Sequence, residues 1–242
     1  SMSLGSGVTT LLDLTNSYGI IANGGLSIKP NIIKTIYSKE GKKIFESTQK
    51  KCLNCNVVDL SDNTPPTIKK NLKRIIDPKI AFQITSMMEG VILRGTAKKL
   101  KDINTPIAGK TGTTNDNYDA WFIGYTPDLV IGVYVGFDKP RTLGYKQTGS
   151  SVAVPIFKNF SNKYKINSKK VPFRVPTGIS FVNIDPKTGL ASADNNTILE
   201  PFILGTEPFN DNINIIEHSG DIFELIDNKL NFITPKEPIL FL

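Results

Sequence analysis

The sequence predicts an α+β fold: an antiparallel sheet packed with helices, followed by a small β-rich appendage. Three observations carry this. Strand-like runs at 106–114, 120–125 and 130–137 follow one another with short turns between them, and short connections imply antiparallel neighbours. Apolar residues recur at helical spacing in 8–22, 78–94 and 154–164. Beyond Pro172 both patterns break into short strands and Pro-rich turns.

Taken in order, the first helix spans 8–22. Thr10 is its N-cap, with Asp13 three residues on to reciprocate, and Leu11, Leu14, Tyr18 and Ile21 share a face. Asn23-Gly24-Gly25 stops it, because glycine tolerates the left-handed exit. Residues 32–45 read as two short strands turning at Lys39-Glu40-Gly41. Residues 52–74 are polar, carry Pro65-Pro66 and read as loop, within a polar insertion over 46–75. The second helix, 78–94, is capped by Asp77, with Pro78 where a missing N–H costs nothing. Ile80, Ile84, Met87, Met88 and Val91 form its apolar stripe, which places both methionines in the core, and Gly95 ends it. After the three strands, the helix at 154–164 sets Ile156 and Phe160 on one face. From Thr206 onward no firm element is expected. The division expected is 1–170 as one domain and 171–242 as an extension.

A chain of 242 residues with 39% hydrophobic and 21% charged content buries a full core. No apolar run approaches the ~20 residues of a membrane span. Ser1-Met2-Ser3-Leu4-Gly5-Ser6-Gly7 lacks the basic and apolar regions of a signal peptide, so any export signal is expected on a longer chain. The net charge of +7 comes from scattered lysine pairs without interleaved aromatics, which argues against a nucleic-acid platform. The only cysteines, Cys52 and Cys55, and the lone His218 are too few for a zinc site. The polar surroundings of the cysteines suit a local disulfide or two free thiols in a surface loop. No metal and no cofactor is expected.

The run Lys110-Thr111-Gly112-Thr113-Thr114 places a cation, a flexible backbone point and several hydroxyls along one strand. That is equipment for holding a carboxylate and stabilising an oxyanion. Two rival readings are a solvated edge strand and a nucleotide-binding loop. The second needs a glycine five residues before Gly109, where the chain has Asn104.

Gly109-Lys110-Thr111-Gly112-Thr113-Thr114, then Asp119-Ala120-Trp121-Phe122-x-Gly124-Tyr125, then Gly132-Val133-x-Val135-Gly136-x-Asp138 resembles the C-terminal half of a penicillin-binding transpeptidase domain, of the class A, 1A type. Ser3-Leu4-Gly5-Ser6, Ala22-Asn23-Gly24-Gly25, Gly95-Thr96-Ala97, Ala153-x-Pro155-Ile156 and Ile184-Asp185-x-x-Thr188-Gly189 agree in order, and the Cys52-x-x-Cys55 loop is similar to that of some members. The resemblance covers residues 1 to about 208. It implies the fold shared with serine β-lactamases and an acyl-enzyme reaction built on three motifs, S-x-x-K, S-x-N and K-T-G. A serine attacks the penultimate D-Ala carbonyl of a stem peptide, D-Ala leaves, and an amine from a neighbouring peptide resolves the acyl-enzyme. β-Lactams mimic the D-Ala-D-Ala end. Lys110 and Thr113 would be catalytic, the latter through a backbone N–H in the oxyanion hole. Thr111, Gly112 and Thr114 would bind substrate, and Trp121 and Phe122 would pack behind the strand. The implied partners are peptidoglycan stem peptides, β-lactams, and the upstream transpeptidase half and glycosyltransferase domain of the same synthase. The implied location is the periplasmic face of the inner membrane.

Ser47-Thr48-Gln49-Lys50 and Ser61-Asp62-Asn63 match the first two motifs literally. Both are expected to be decoys, because a nucleophilic serine needs a helix N-terminus and a desolvated lysine, and no helical period surrounds them. In the family order the true motifs precede Leu4-Gly5-Ser6, so no nucleophile is expected within this chain. The fold would then be incomplete, inactive alone, with apolar strand faces uncovered around Lys110 and Val133. The alternative is a non-catalytic binding or scaffold module.

Overall fold

The computed structural model describes residues 7–47, 50–53, 67–70, 72–164, 171–208, 223–226 and 229–232. Helix α1 (Leu11–Ala22) starts where the Thr10 hydroxyl accepts the Asp13 N–H, and it leads into a turn with Gly24 and Gly25 at positive φ. Strands β1 (Thr35–Tyr37) and β2 (Lys43–Glu46) form the expected hairpin, turning at Gly41 with φ +80°. Helix α2 (Pro78–Leu93) is capped by Asp77. The central sheet is a meander of β5 (Ala108–Thr113), β6 (Ala120–Tyr125) and β7 (Val130–Val135), all antiparallel.

Side-chain alternation along β6 explains the layers. Phe122 meets Phe157 of α3 (Val154–Lys163) edge-on, ring centres 4.9 Å apart, and this face closes over Ile92, Leu100, Val133 and Val154. On the other face Ile123 and Gly132 meet α1, where a Cβ on Gly132 would sit 2.1 Å from the Thr15 hydroxyl. The helix therefore lies too close to β7 for any side chain there. Strands β8 (Ile179–Ile184) and β9 (Ile198–Ile203) form the appendage, clamped on α2 by the Phe82–Phe181 edge contact and by Gln83 donating to the Pro201 carbonyl.

Four expectations give way. Within the segment read as loop, β3 (Lys50–Leu53) pairs antiparallel with β4 (Thr67–Lys70). Thr67 and Ile68 favour strand, and Pro65-Pro66 end just before the ladder rather than inside it. Beyond Thr206, β10 (Phe223–Ile226) and β11 (Lys229–Phe232) pair in a hairpin. The buried stripe of α2 is rotated: Ala81, Phe82, Thr85 and Ile92 are buried, whereas Ile80 is 45% and Met87 64% exposed. Thr85 and Glu89 sit on the inward side, and their polarity hid that stripe from an apolar count. Lastly, Val133 is buried, and exposed apolar side chains gather instead on α1 (Leu11, Leu12) and on the β1–β2 hairpin (Ile36, Ile44, Phe45).

Candidate active site

Lys110, Thr111, Gly112 and Thr113 all lie on β5, whose far edge pairs with no strand among the described residues. The Thr114 N–H donates to the Asp119 carbonyl at 3.2 Å, closing the hairpin. Antiparallel partners alternate between bonded and non-bonded pairs, so Gly112↔Trp121 and Lys110↔Ile123 continue the bonded set. Thr111 and Thr113 therefore turn their own N–H and C=O groups to the open edge. Consistent with this, the Lys110 ammonium bends round to donate to the Thr111 carbonyl at 2.8 Å.

Two turns hold this edge. The Gly95-Thr96 turn after α2 brings the Thr96 hydroxyl to 2.8 Å from that of Thr111. A π-helical turn, Gly149–Ala153, precedes α3 and is capped reciprocally by Thr148 and Ser151. Its first residue donates its N–H to the Thr113 hydroxyl at 3.0 Å, and its Ser150 hydroxyl donates to the Thr96 carbonyl at 2.5 Å. Gly149 is there because nothing larger fits: a Cβ would lie 2.4 Å from the Trp121 carbonyl oxygen and 2.6 Å from that of Gly112.

The chemistry follows from these bonds. Since Thr113 Oγ1 accepts from Gly149, its proton is free to be donated outward. Lys110 keeps two further N–H donors beyond the one given to Thr111. The outward Thr113 N–H adds a backbone donor. The edge thus presents one cation and several donors to an extended, carboxylate-ended ligand.

Thr114 is placed differently. Its hydroxyl accepts the Asp119 N–H at 2.8 Å and donates to the Asp119 carboxylate, which also takes the Tyr134 hydroxyl at 2.8 Å. That bond to Asp119 raises the Tyr134 phenol above its ordinary value. Trp121 packs on Tyr134 and Phe122 lies in the core, both behind the strand.

Ser47 follows β2 and Lys50 opens β3, so neither sits on a helix; the Ser47 hydroxyl accepts from Asn31 Nδ2 at 2.6 Å. Ser3 to Ser6, Cys55, Ser61, Asn63 and His218 lie outside the described residues, as does any pairing of Cys52 with Cys55. Sequence reasoning did not assign Thr96, Gly149 or Ser150 to the site. Their signal was faint: a Gly-Thr after a helix and a Thr-x-x-Ser before one.

On its α2 side the site adjoins charged groups. Arg94, at the C-terminal end of α2, pairs with Glu200 of β9, which also accepts from the Ser86 hydroxyl. Burial, and then the neighbouring Glu200, push the Glu89 carboxyl up to about 7. Among the described residues no helix is long and apolar enough to cross a membrane.

A family model, the penicillin binding protein transpeptidase domain, matches residues 1–162. Penicillin-binding protein 1A of Rickettsia bellii is 45% identical over 234 residues, 96% of this chain and 28% of that protein. The Rickettsia conorii protein of the same name is 40% identical, over 95% of this chain and 29% of its own length. The chain thus spans less than a third of the curated relatives it matches. Among solved structures, penicillin-binding protein 1A from Haemophilus influenzae superposes with a TM-score of 0.72 at 30% identity, covering 86% of this chain and 34% of that one. With two thirds of its length inside the family model and the helix-backed antiparallel sheet of these relatives, this chain belongs to the penicillin-binding protein transpeptidase domain family.

Proposed function

We propose that this chain is the C-terminal part of the transpeptidase in a bifunctional peptidoglycan synthase, with residues 1–170 completing the catalytic domain and 171–242 extending it. It supplies the K-T-G strand of a serine D-Ala-D-Ala transpeptidase that cross-links stem peptides and is acylated by β-lactams. The observation that carries this is the open edge of β5, to which the Lys110 ammonium bends by donating to the Thr111 carbonyl and to which the Thr113 N–H turns. In this reading Lys110 and the Thr111 and Thr113 hydroxyls hold the terminal carboxylate. The Thr113 N–H stabilises the oxyanion formed when the serine adds to the penultimate carbonyl. Gly112 leaves room for the acyl group, and Thr114 serves through the turn it closes.

The nucleophilic serine and its lysine come from segments outside these residues, since Ser47 and Lys50 have no helix to activate them. The chain alone is therefore inactive, and the complete enzyme works on the periplasmic face of the inner membrane. In a synthase extended upstream of this chain, Lys110→Ala is expected to slow acylation by benzylpenicillin at least tenfold, and Thr113→Val to weaken it less, because its backbone donor stays. Unchanged acylation in Lys110→Ala would remove β5 from the site. A synthase that never reacts would leave a non-catalytic binding piece.

A further inference from the structure

Thr111 and Thr113 lie two residues apart on β5, so their side chains leave the same face of the strand. Resting on the proposed function above, both hydroxyls donate to the terminal carboxylate of the bound peptide. A hydroxyl has one proton to give, and a carboxylate only accepts. Each threonine therefore serves only if no other acceptor takes its proton. For Thr113 a backbone donor settles the matter, because the Gly149 N–H points at its oxygen from 3.0 Å. The neighbour of the Thr111 hydroxyl is instead a second hydroxyl, that of Thr96, at 2.8 Å, and either of the two can donate.

The backbone around Thr96 is fixed from three directions. Before it, a Cβ on Gly95 would fall 2.7 Å from the Val91 Cα, so the turn that ends α2 admits only glycine there. After it, Ala97 is fully buried and donates its N–H to the Val91 carbonyl at 3.0 Å. From across the site, the Ser150 hydroxyl donates to the Thr96 carbonyl at 2.5 Å. Ser150 directly follows Gly149 in the π-helical turn. The group behind Thr111 and the group behind Thr113 thus belong to two turns that are bonded to each other.

We propose that Thr96 is a positioning residue for carboxylate recognition. When a carboxylate is bound, Thr96 donates to Thr111 and Thr111 donates to the carboxylate. This chain runs parallel to the one from the Gly149 N–H through Thr113. Hydrogen bonds in series polarise one another, so the outer bond gains strength from the inner one. Thr96 acts through Thr111 without touching substrate, and Ser150 keeps its turn at the distance this needs.

The test measures the second-order rate of acylation by benzylpenicillin, whose carboxylate stands for that of the peptide, in the synthase that contains this chain. Thr96→Val keeps the branched shape and removes the donor. It is expected to slow acylation about fivefold, the worth of one hydrogen bond. Thr96→Ser keeps the hydroxyl and is expected to restore most of that rate, which guards against a variant that merely misfolds. In a Thr111→Val background Thr96→Val should cost nothing further, because no hydroxyl remains to receive its proton. A loss that persists in full in that background would mean a loosened turn and would overturn the role. So would an unchanged rate in Thr96→Val, or a Thr96→Ser no faster than Thr96→Val. Each of these leaves the Lys110 site standing, provided the wild type is acylated and Lys110→Ala slows it. A wild type that is never acylated overturns both.

Discussion

Gly149 and Gly112 face each other at the site and make opposite predictions. In Gly149→Ala the new methyl meets two backbone carbonyl oxygens, at 2.4 and 2.6 Å, and the Gly112 nitrogen at 3.2 Å. Backbone in a paired strand cannot yield as a side chain does, so the π-helical turn must lift away from β5. Overpacking of this kind costs about 1–3 kcal/mol, and loss of the Gly149 N–H bond to Thr113 adds about 1 kcal/mol. For a chain of this size the total of about 2–4 kcal/mol corresponds to a fall in Tm of roughly 4–16 °C. In Gly112→Ala the methyl's nearest neighbours are side-chain atoms of Trp121, the Cβ at 3.2 Å and the ring at 3.8 Å, and Trp121 is not in the core. Its stability cost is about 1 kcal/mol or less. Its damage is instead to the approach of an acyl group along the edge. Thermal unfolding of both variants, with benzylpenicillin acylation in the upstream-extended enzyme, separates the two effects. Gly149→Ala should melt early, and Gly112→Ala should melt near wild type yet acylate slowly. Equal melting temperatures for the two, with Gly149→Ala unaffected, would refute the packing of the π-helical turn on β5.

Two further predictions concern the contact between α2 and β9. The Glu89 carboxyl, buried beside Glu200, is pushed from its ordinary 4.5 up to about 7, so the folded state binds its proton more tightly. Stability is then full below pH 4.5, falls as pH rises toward 7, and is level above, a loss of about 1–3 kcal/mol. Glu89→Gln should remove that slope, raising Tm at pH 8 while leaving it unchanged at pH 4; a parallel pH profile in the variant would count against it. Arg94→Ala strips the partner from Glu200, whose side chain is only 13% exposed beside Glu89. Because Arg94 itself is 42% exposed, the expected cost is modest, about 1–2 kcal/mol by chemical denaturation, and no change in midpoint would dismiss the clamp.

The central sheet was legible because its signals are local. Strand β6 falls where it was expected, at Ala120–Tyr125, and β5 and β7 are trimmed by three and two residues from the runs read at 106–114 and 130–137. Both capping residues, Thr10 and Asp77, act as their spacing implied. What stayed hidden depends on distant partners. Gly149 meets Thr113 across 36 residues, and Thr96 meets Thr111 only because α2 delivers its C-terminal turn to β5. The inward side of α2 was misjudged for a related reason. Thr85 is polar in the sequence, yet buried here, because the Tyr125 hydroxyl pairs with it at 2.9 Å. The β3–β4 ladder escaped notice because its strands sit in a lysine- and asparagine-rich stretch where composition argues for loop.

The most direct measurement is fluorescent-penicillin labelling of the 242-residue chain beside a version extended upstream, each also as Ser47→Ala. A nucleophile outside these residues predicts no covalent label on the chain alone and a label on the extended protein that Ser47→Ala leaves intact. A label on the chain alone that Ser47→Ala abolishes would contradict it, since the nucleophile would then lie beside β2 and not in a segment that β5 merely receives.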